Sequence, residues 1–157
     1  TVTNEYKSLF FMDVAYRVPD NETEGETPQN KFKTTKPITN MNVKSVIGYP
    51  ENGMQVYHNS HINVRGVAFD DGHGIRDVMI STDDGATWEK ATIKKDAGRY
   101  AYTAFRFAYK PSVYGKINVM AKAINYLGHE QPLAKDVVWN HGGYKYNGID
   151  IVQIEVV

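Results

Sequence analysis

The sequence contains no cysteine. That excludes thiolate nucleophiles, cysteine-ligated zinc, iron–sulfur clusters and disulfides from this chain. It has no surplus of either charge, since 18 Lys and Arg stand against 18 Asp and Glu. General binding to nucleic acid or to an anionic membrane surface needs an excess of basic residues, so neither partner is expected. A run of about 18 apolar residues is missing, and with it any membrane-spanning helix. Apolar residues nowhere keep a three-to-four spacing over about a dozen positions, which argues against a helical core. No phosphate-binding loop of the type G-x-x-x-x-G-K-[ST] and no nucleophile elbow G-x-S-x-G is found, and no catalytic constellation stands out. No signal peptide is visible. The first residue is Thr1, so the chain reads as a processed product or as a fragment of something longer.

What is present favours strands. The 157 residues, enough for one domain, include 11 Tyr among many Val, Ile and Thr, the residue types that suit a pleated half-buried surface. Residues 19–40 are an exception. They hold Pro19, Pro28 and Pro37 with several Thr, Asn and Glu, and almost nothing apolar but Phe32 and Ile38. That composition reads as a loop or linker that wraps a surface or spans a boundary. From Met41 onward short alternating runs recur. Val43 to Ile47 is one strand, stopped by Pro50 and the Asn52-Gly53 turn. Ile62, Val64, Gly66 and Ala68 form a small, apolar face opposite Asn63, Arg65, Val67 and Phe69. Val78 and Ile80 alternate with Asp77, Met79 and Ser81; Ser81 to Trp88 is a hairpin, and Trp88 to Ile93 returns. Tyr100 to Tyr109 is an aromatic strand. Ile117, Val119, Ala121 and Ala123 alternate with Asn118, Met120 and Lys122. Val137 to Trp139 reads as a short strand, and Asp150, Val152, Ile154 and Val156 as an edge strand. The spacing predicts an all-β, immunoglobulin-like sandwich of seven or eight strands, preceded by an extended N-terminal segment.

Ser81-Thr82-Asp83-Asp84-Gly85-Ala86-Thr87-Trp88 fits the Asp-box pattern S-x-D-x-G-x-T-W. Its chemistry is structural: Asp83 accepts backbone N–H groups of the turn, Gly85 supplies a positive φ, and Trp88 packs under the hairpin. It occurs once, so a sialidase-like propeller is not expected. The five histidines sit at or beside turns. His58 and His61, three apart, would point to opposite faces of a strand. No metal site is expected from this spacing. Asp70-Asp71-Gly72-His73-Gly74 lacks the register and the terminal Glu of a calcium loop. Trp139-Asn140-His141-Gly142-Gly143-Tyr144 is a glycine turn flanked by two aromatic anchors, readable either as an ordinary turn between the last two strands or as a contact surface for a partner domain.

Taken in order, these segments resemble the C-terminal dimerisation domain of the sulfite oxidase family of molybdenum oxidoreductases. Phe11-Met12-Asp13-Val14-Ala15-Tyr16-Arg17-Val18-Pro19-Asp20 looks like the family's exit from its molybdenum domain, and Pro37-Ile38 with Met41 to Ser45 like the entry into its sandwich. Ile62 to Phe69 matches "h-x-V-x-G-x-A-W" with Phe69 for the usual Trp. Ser81 to Trp88 matches its "S-x-D-G-G-x-T-W" hairpin. Phe105-Arg106 stands for Trp-Arg, Asn125 for an Asp after Ala121-Lys122-Ala123, and Gln131-Pro132 leads to Trp139-Asn140.

The resemblance implies that molybdenum and molybdopterin belong to a preceding domain, with no cofactor in this chain. Residues 1–40 would then be the tail of that domain and a linker, and residues 41–157 the dimerisation domain. It implies a homodimer that also closes one side of the substrate site, against the molybdenum domain of its own parent chain. The parent would be a sulfite-oxidising type enzyme of the sulfite or sulfane dehydrogenase kind, periplasmic, passing electrons to a cytochrome. The family carries an Arg two residues after the Asn of the Trp-Asn turn, where this chain has Gly142; Lys145 or protonated His141 would supply that charge instead. For the dimer contact the expected residues are Val67, Phe69, Met79 and Met120. A carbohydrate-binding immunoglobulin-like module, with tyrosines as stacking platforms, is the alternative from another class.

Overall fold

Strict alternation of buried and exposed residues shapes the molecule. The computed structural model describes residues 9–21, 26–27, 34–94 and 98–157. Pro28 and Phe32 of the proline-rich stretch fall outside them. A π-helical turn, Phe11–Ala15, buries none of its side chains. It leads into β1 (Arg17–Pro19), which pairs antiparallel with β2 (Thr35–Pro37). Composition alone had hidden this ribbon inside the linker.

The sandwich has two sheets. One is formed by β3 (Lys44–Tyr49), β5 (Ile62–Phe69), β8 (Thr92–Ile93) and β9 (Thr103–Tyr109), in the order β3-β5-β9-β8. The other holds β4 (Gln55–Val56), β6 (Ile75–Ser81), β7 (Glu89–Lys90), β10 (Gly115–Asn125) and β11 (Asp150–Val156), in the order β4-β11-β10-β6-β7. They meet where β3 packs on β10 and β11, and β5 on β6. The all-β immunoglobulin-like expectation holds, with nine sandwich strands among the described residues in place of the seven or eight expected. Three of these, β4, β7 and β8, are two residues long; β4 is too short for a period of two to register in sequence, while β7 and β8 divide the returning stretch 88–93 between the two sheets.

The core follows the predicted faces. Val64, Ala68, Val78, Val119, Ala121, Ala123 and Ile154 are fully buried, each larger side chain contributing roughly 1.5–3 kcal/mol of burial. Gly66 lies among them because a Cβ there would run into the Val46 carbonyl and the Phe105 ring. Two local expectations need correction. Residues 137–139 form no strand: a 3-10 turn, Ala134–Asp136, comes before them, and the Trp139 carbonyl accepts the N–H of Glu26 from the N-terminal segment at 2.6 Å. β11 is not a bare edge, since Glu155 and Val156 pair in parallel with Gln55 and Val56 of β4.

Candidate functional site

β1 and the loop after β10 line a cavity of about 610 Å³. Val18, Pro19, Asn42, Asn140, Tyr144 and Lys145 are part of its wall. Two buried amides build that loop. Gln131, 1% exposed, accepts from the Ser45 N–H at 2.7 Å, the Ser45 hydroxyl at 2.6 Å and the Ala123 N–H at 2.9 Å. Its Nε2 donates to the carbonyls of Asn147 and Gly148 at 3.2 and 3.0 Å. Asn140 closes the glycine turn on itself, its Nδ2 donating to the Tyr144 carbonyl at 2.8 Å and its Oδ1 accepting the Tyr144 N–H at 3.0 Å.

Lys145 follows in the left-handed region at φ 59°. Its Nζ donates to Asn40 Oδ1 at 3.1 Å, and its carbonyl accepts from Asn42 Nδ2 at 2.9 Å. The ammonium group is thus placed by the segment that leads into β3. His141 faces a second, smaller hollow of about 250 Å³, shared with Arg17, Glu26, Gly142 and Tyr144. Its N–H donates to Glu26 Oε2 at 2.7 Å, and its ring meets Trp139 edge-on at 4.8 Å. The two expected anion-lining residues therefore flank the same turn but open into neighbouring hollows. A Cβ at Gly142 would meet the Tyr144 ring, which itself packs edge-on against Tyr16 at 5.5 Å. The tyrosine occupies space that a longer residue at 142 would need.

Sequence reasoning missed Arg17 and Glu26. Arg17 is fixed by Nε to Thr35 Oγ1 and Nη1 to the Met12 carbonyl, both 2.8 Å, and by Nη2 to the Thr35 carbonyl. It brings a permanent charge beside His141 that only the pairing of β1 with β2 reveals. Glu26 is buried at 7% exposure in a stretch whose composition looked wholly solvated.

The four expected dimer residues do not share a surface. Val67 and Phe69 lie on the outer face of β5, paired with Val46 and Lys44. Met79 and Met120 lie on the outer face of the other sheet, where Met79 pairs with Lys122 and Lys90, and Met120 with Ser81 and Ile151. Met120 is 4% exposed, so its own domain already covers it.

Asp70, Asp71 and His73 offer three ligand-type atoms within 4.8 Å of one another. Asp70 spends its oxygens on the turn, Oδ1 accepting the Gly72 and Gly74 N–H groups at 3.0 Å and Oδ2 the Asn125 amide at 3.2 Å. Among the described residues no helix is long and apolar enough to cross a membrane.

A family model described as the Mo-co oxidoreductase dimerisation domain matches residues 35–156. Mitochondrial sulfite oxidase from Drosophila melanogaster is 25% identical over 166 residues, covering 89% of this chain and 29% of its own length. The crystal structure of the sulfane dehydrogenase SoxCD from Paracoccus pantotrophus superposes with a TM-score of 0.67 at 19% identity, covering 95% of this chain and 39% of that one. The chain thus spans about a third of the length of these relatives. The match takes in both sheets and the loop carrying Gln131, Asn140 and Lys145, and the chain belongs to the Mo-co oxidoreductase dimerisation domain family.

Proposed function

We propose that this chain joins two copies of a longer molybdenum-cofactor oxidoreductase and closes one side of a substrate site held by the preceding domain. The carrying observation is an uncovered apolar segment. Leu9, Phe10, Phe11 and Val14 are 59, 65, 57 and 64% exposed, and the chain runs from them straight through β1 into the cavity wall that holds Lys145. Contiguous apolar surface of this kind marks a contact site. In this reading the molybdenum domain covers it, residues 1–40 are that domain's tail and linker, and residues 41–157 are the dimerising unit. Lys145, or His141 when protonated, supplies positive charge to an oxyanion where the family arginine is replaced by Gly142, and Lys145 is the one on the larger cavity's wall.

The parent carries molybdenum and molybdopterin outside this chain. The residues present do not fit that metal: the sequence has no thiolate, and the cavity wall offers amides, one imidazole, an ammonium group and hard oxygen donors, poor matches for a sulfur-ligated centre. Its substrate is sulfite or a sulfane sulfur, its compartment the periplasm and its electron acceptor a cytochrome, in keeping with the resemblance.

The dimer contact is assigned to the outer face of the sheet β4-β11-β10-β6-β7. A two-fold interface must complement itself, and this face carries both signs, with Ile151 at 48% exposure and Met79 at its apolar centre. The substrate role is tested in the full-length enzyme. Lys145→Ala should raise the KM for sulfite about tenfold or more, the loss of one charge-assisted contact, with kcat nearly unchanged. An unchanged KM removes Lys145 from the site.

A further inference from the structure

The chain as a whole is neutral, but its two sheets do not share the charge evenly. The sheet β4-β11-β10-β6-β7 carries four basic and four acidic residues. The sheet β3-β5-β9-β8 carries Lys44, Arg65 and Arg106 and no carboxylate at all. Lys44 is occupied, donating to the Tyr146 carbonyl at 3.2 Å and lying over its ring. Neither arginine has a hydrogen-bond acceptor of that kind among the described residues. Arg65 and Arg106 sit directly opposite each other on β5 and β9, both exposed, and among the described residues neither has a carboxylate partner. Like charges placed opposite one another across a ladder weaken the pairing. A sheet that keeps such a pair without a counter-ion gives up stability for something other than its own folding.

The surroundings fit an acidic ligand. The Arg65 guanidinium lies over the Tyr49 ring, 5.0 Å from its centroid. That contact steadies the group while leaving its N–H fork free for a carboxylate. Tyr49, His61, Asn63 and the two arginines line a shallow depression of about 460 Å³. Beside it the same outer face continues as the apolar row Val46, Val67 and Ala104, in register across β3, β5 and β9, with Val46 at 38% exposure.

We propose that this face docks a protein partner through an acidic segment, its carboxylates received by the Arg65–Arg106 pair and its apolar side chains resting on Val46 and Val67. Two planar guanidinium groups side by side match carboxylates in bidentate geometry. A second copy of the chain does not suit the same face, because a surface without carboxylates would meet its own like charge. The proposal is independent of the dimer contact assigned above, which uses the opposite sheet.

The test titrates the 157-residue chain with a fluorescently labelled synthetic peptide of alternating Glu and Leu, followed by anisotropy. Binding is expected, weakening as salt is raised. The double substitution Arg65→Gln with Arg106→Gln should weaken it at least about tenfold. The same variant should melt no lower than the parent chain, since it removes a repulsion, so the loss is not one of folding. Equal affinity in the double variant overturns the proposal. So does inorganic phosphate that displaces the peptide at equal concentration, which would make the pair a small-anion site instead.

Discussion

Gln131 ties together parts of the chain that are far apart in sequence: β3 through Ser45, β10 through Ala123, and the approach to β11 through Asn147 and Gly148. All of its amide atoms are used, in a site closed to water. Replacing it with Leu keeps the bulk but strands two N–H groups and two carbonyls, while the Ser45 hydroxyl keeps the Ala121 carbonyl at 3.0 Å. Gln131→Leu should therefore cost about 3–5 kcal/mol in urea unfolding, and a loss below about 1 kcal/mol would mean that water takes over those bonds. Gly66→Ala is the steric counterpart. Its added methyl meets the Val46 carbonyl and the Phe105 ring, and about 1–3 kcal/mol is expected from overpacking. The glycine was readable as part of a small-residue face. The glutamine was not, because a polar residue ahead of Pro132 looks like any exposed loop position, and its burial depends on three distant segments arriving together.

Local chemistry that closes on itself is the most legible element. In the hairpin between β6 and β7, Asp83 Oδ1 accepts the Thr87 N–H at 2.9 Å and the Ser81 hydroxyl at 2.7 Å, and Oδ2 accepts the Thr87 hydroxyl at 2.5 Å. Asp84 and Gly85 take positive φ values of 57° and 86°, and Trp88 Nε1 donates to the Gly85 carbonyl at 3.1 Å. Each bond lies within the Asp-box motif, so the motif alone predicted the turn. The Thr87 hydroxyl, then the Thr87 N–H and the Ser81 hydroxyl, lower the Asp83 carboxyl from 3.8 to about 2. Asp77, on β6, is also lowered, first by the Lys90 ammonium, with burial opposing and Arg76 assisting. Both groups ionise more readily folded than unfolded. Their stabilising effect is present above pH 3.8 and is lost as the pH falls through the folded value, about 2 for Asp83. Stability to urea should fall across that window. Thr87→Val should move the Asp83 titration, read by carboxyl NMR, back toward 3.8; an unmoved titration would contradict the assigned cause. The longer strands were equally legible from alternation, and the return of the hairpin over residues 88–93 holds β7 and β8, whereas the two-residue β4 and the β1–β2 ribbon exist only through their neighbours.

At the scale of the whole molecule, which face of a strand looks inward could be read from sequence, but which outer faces lie on the same side could not. Val67 and Phe69 end up across the sandwich from Met79 and Met120 because strands adjacent in sequence are dealt to different sheets. The same dealing makes one sheet two-signed and leaves the other with bases alone. The two-signed face can meet its own copy, and a contact of standard size, about 800 Å² per partner, would suffice for a stable pair. A charge at its exposed apolar point, Ile151, should break that pair, while one at Val67 on the opposite sheet should not. Sedimentation equilibrium of the chain, its Ile151→Arg variant and its Val67→Arg variant is the direct test. The account predicts twice the 17.7 kDa chain mass for the parent and for Val67→Arg, and the single chain mass for Ile151→Arg. A parent chain that stays monomeric at every concentration, or a dimer that survives Ile151→Arg and falls apart with Val67→Arg, would contradict it.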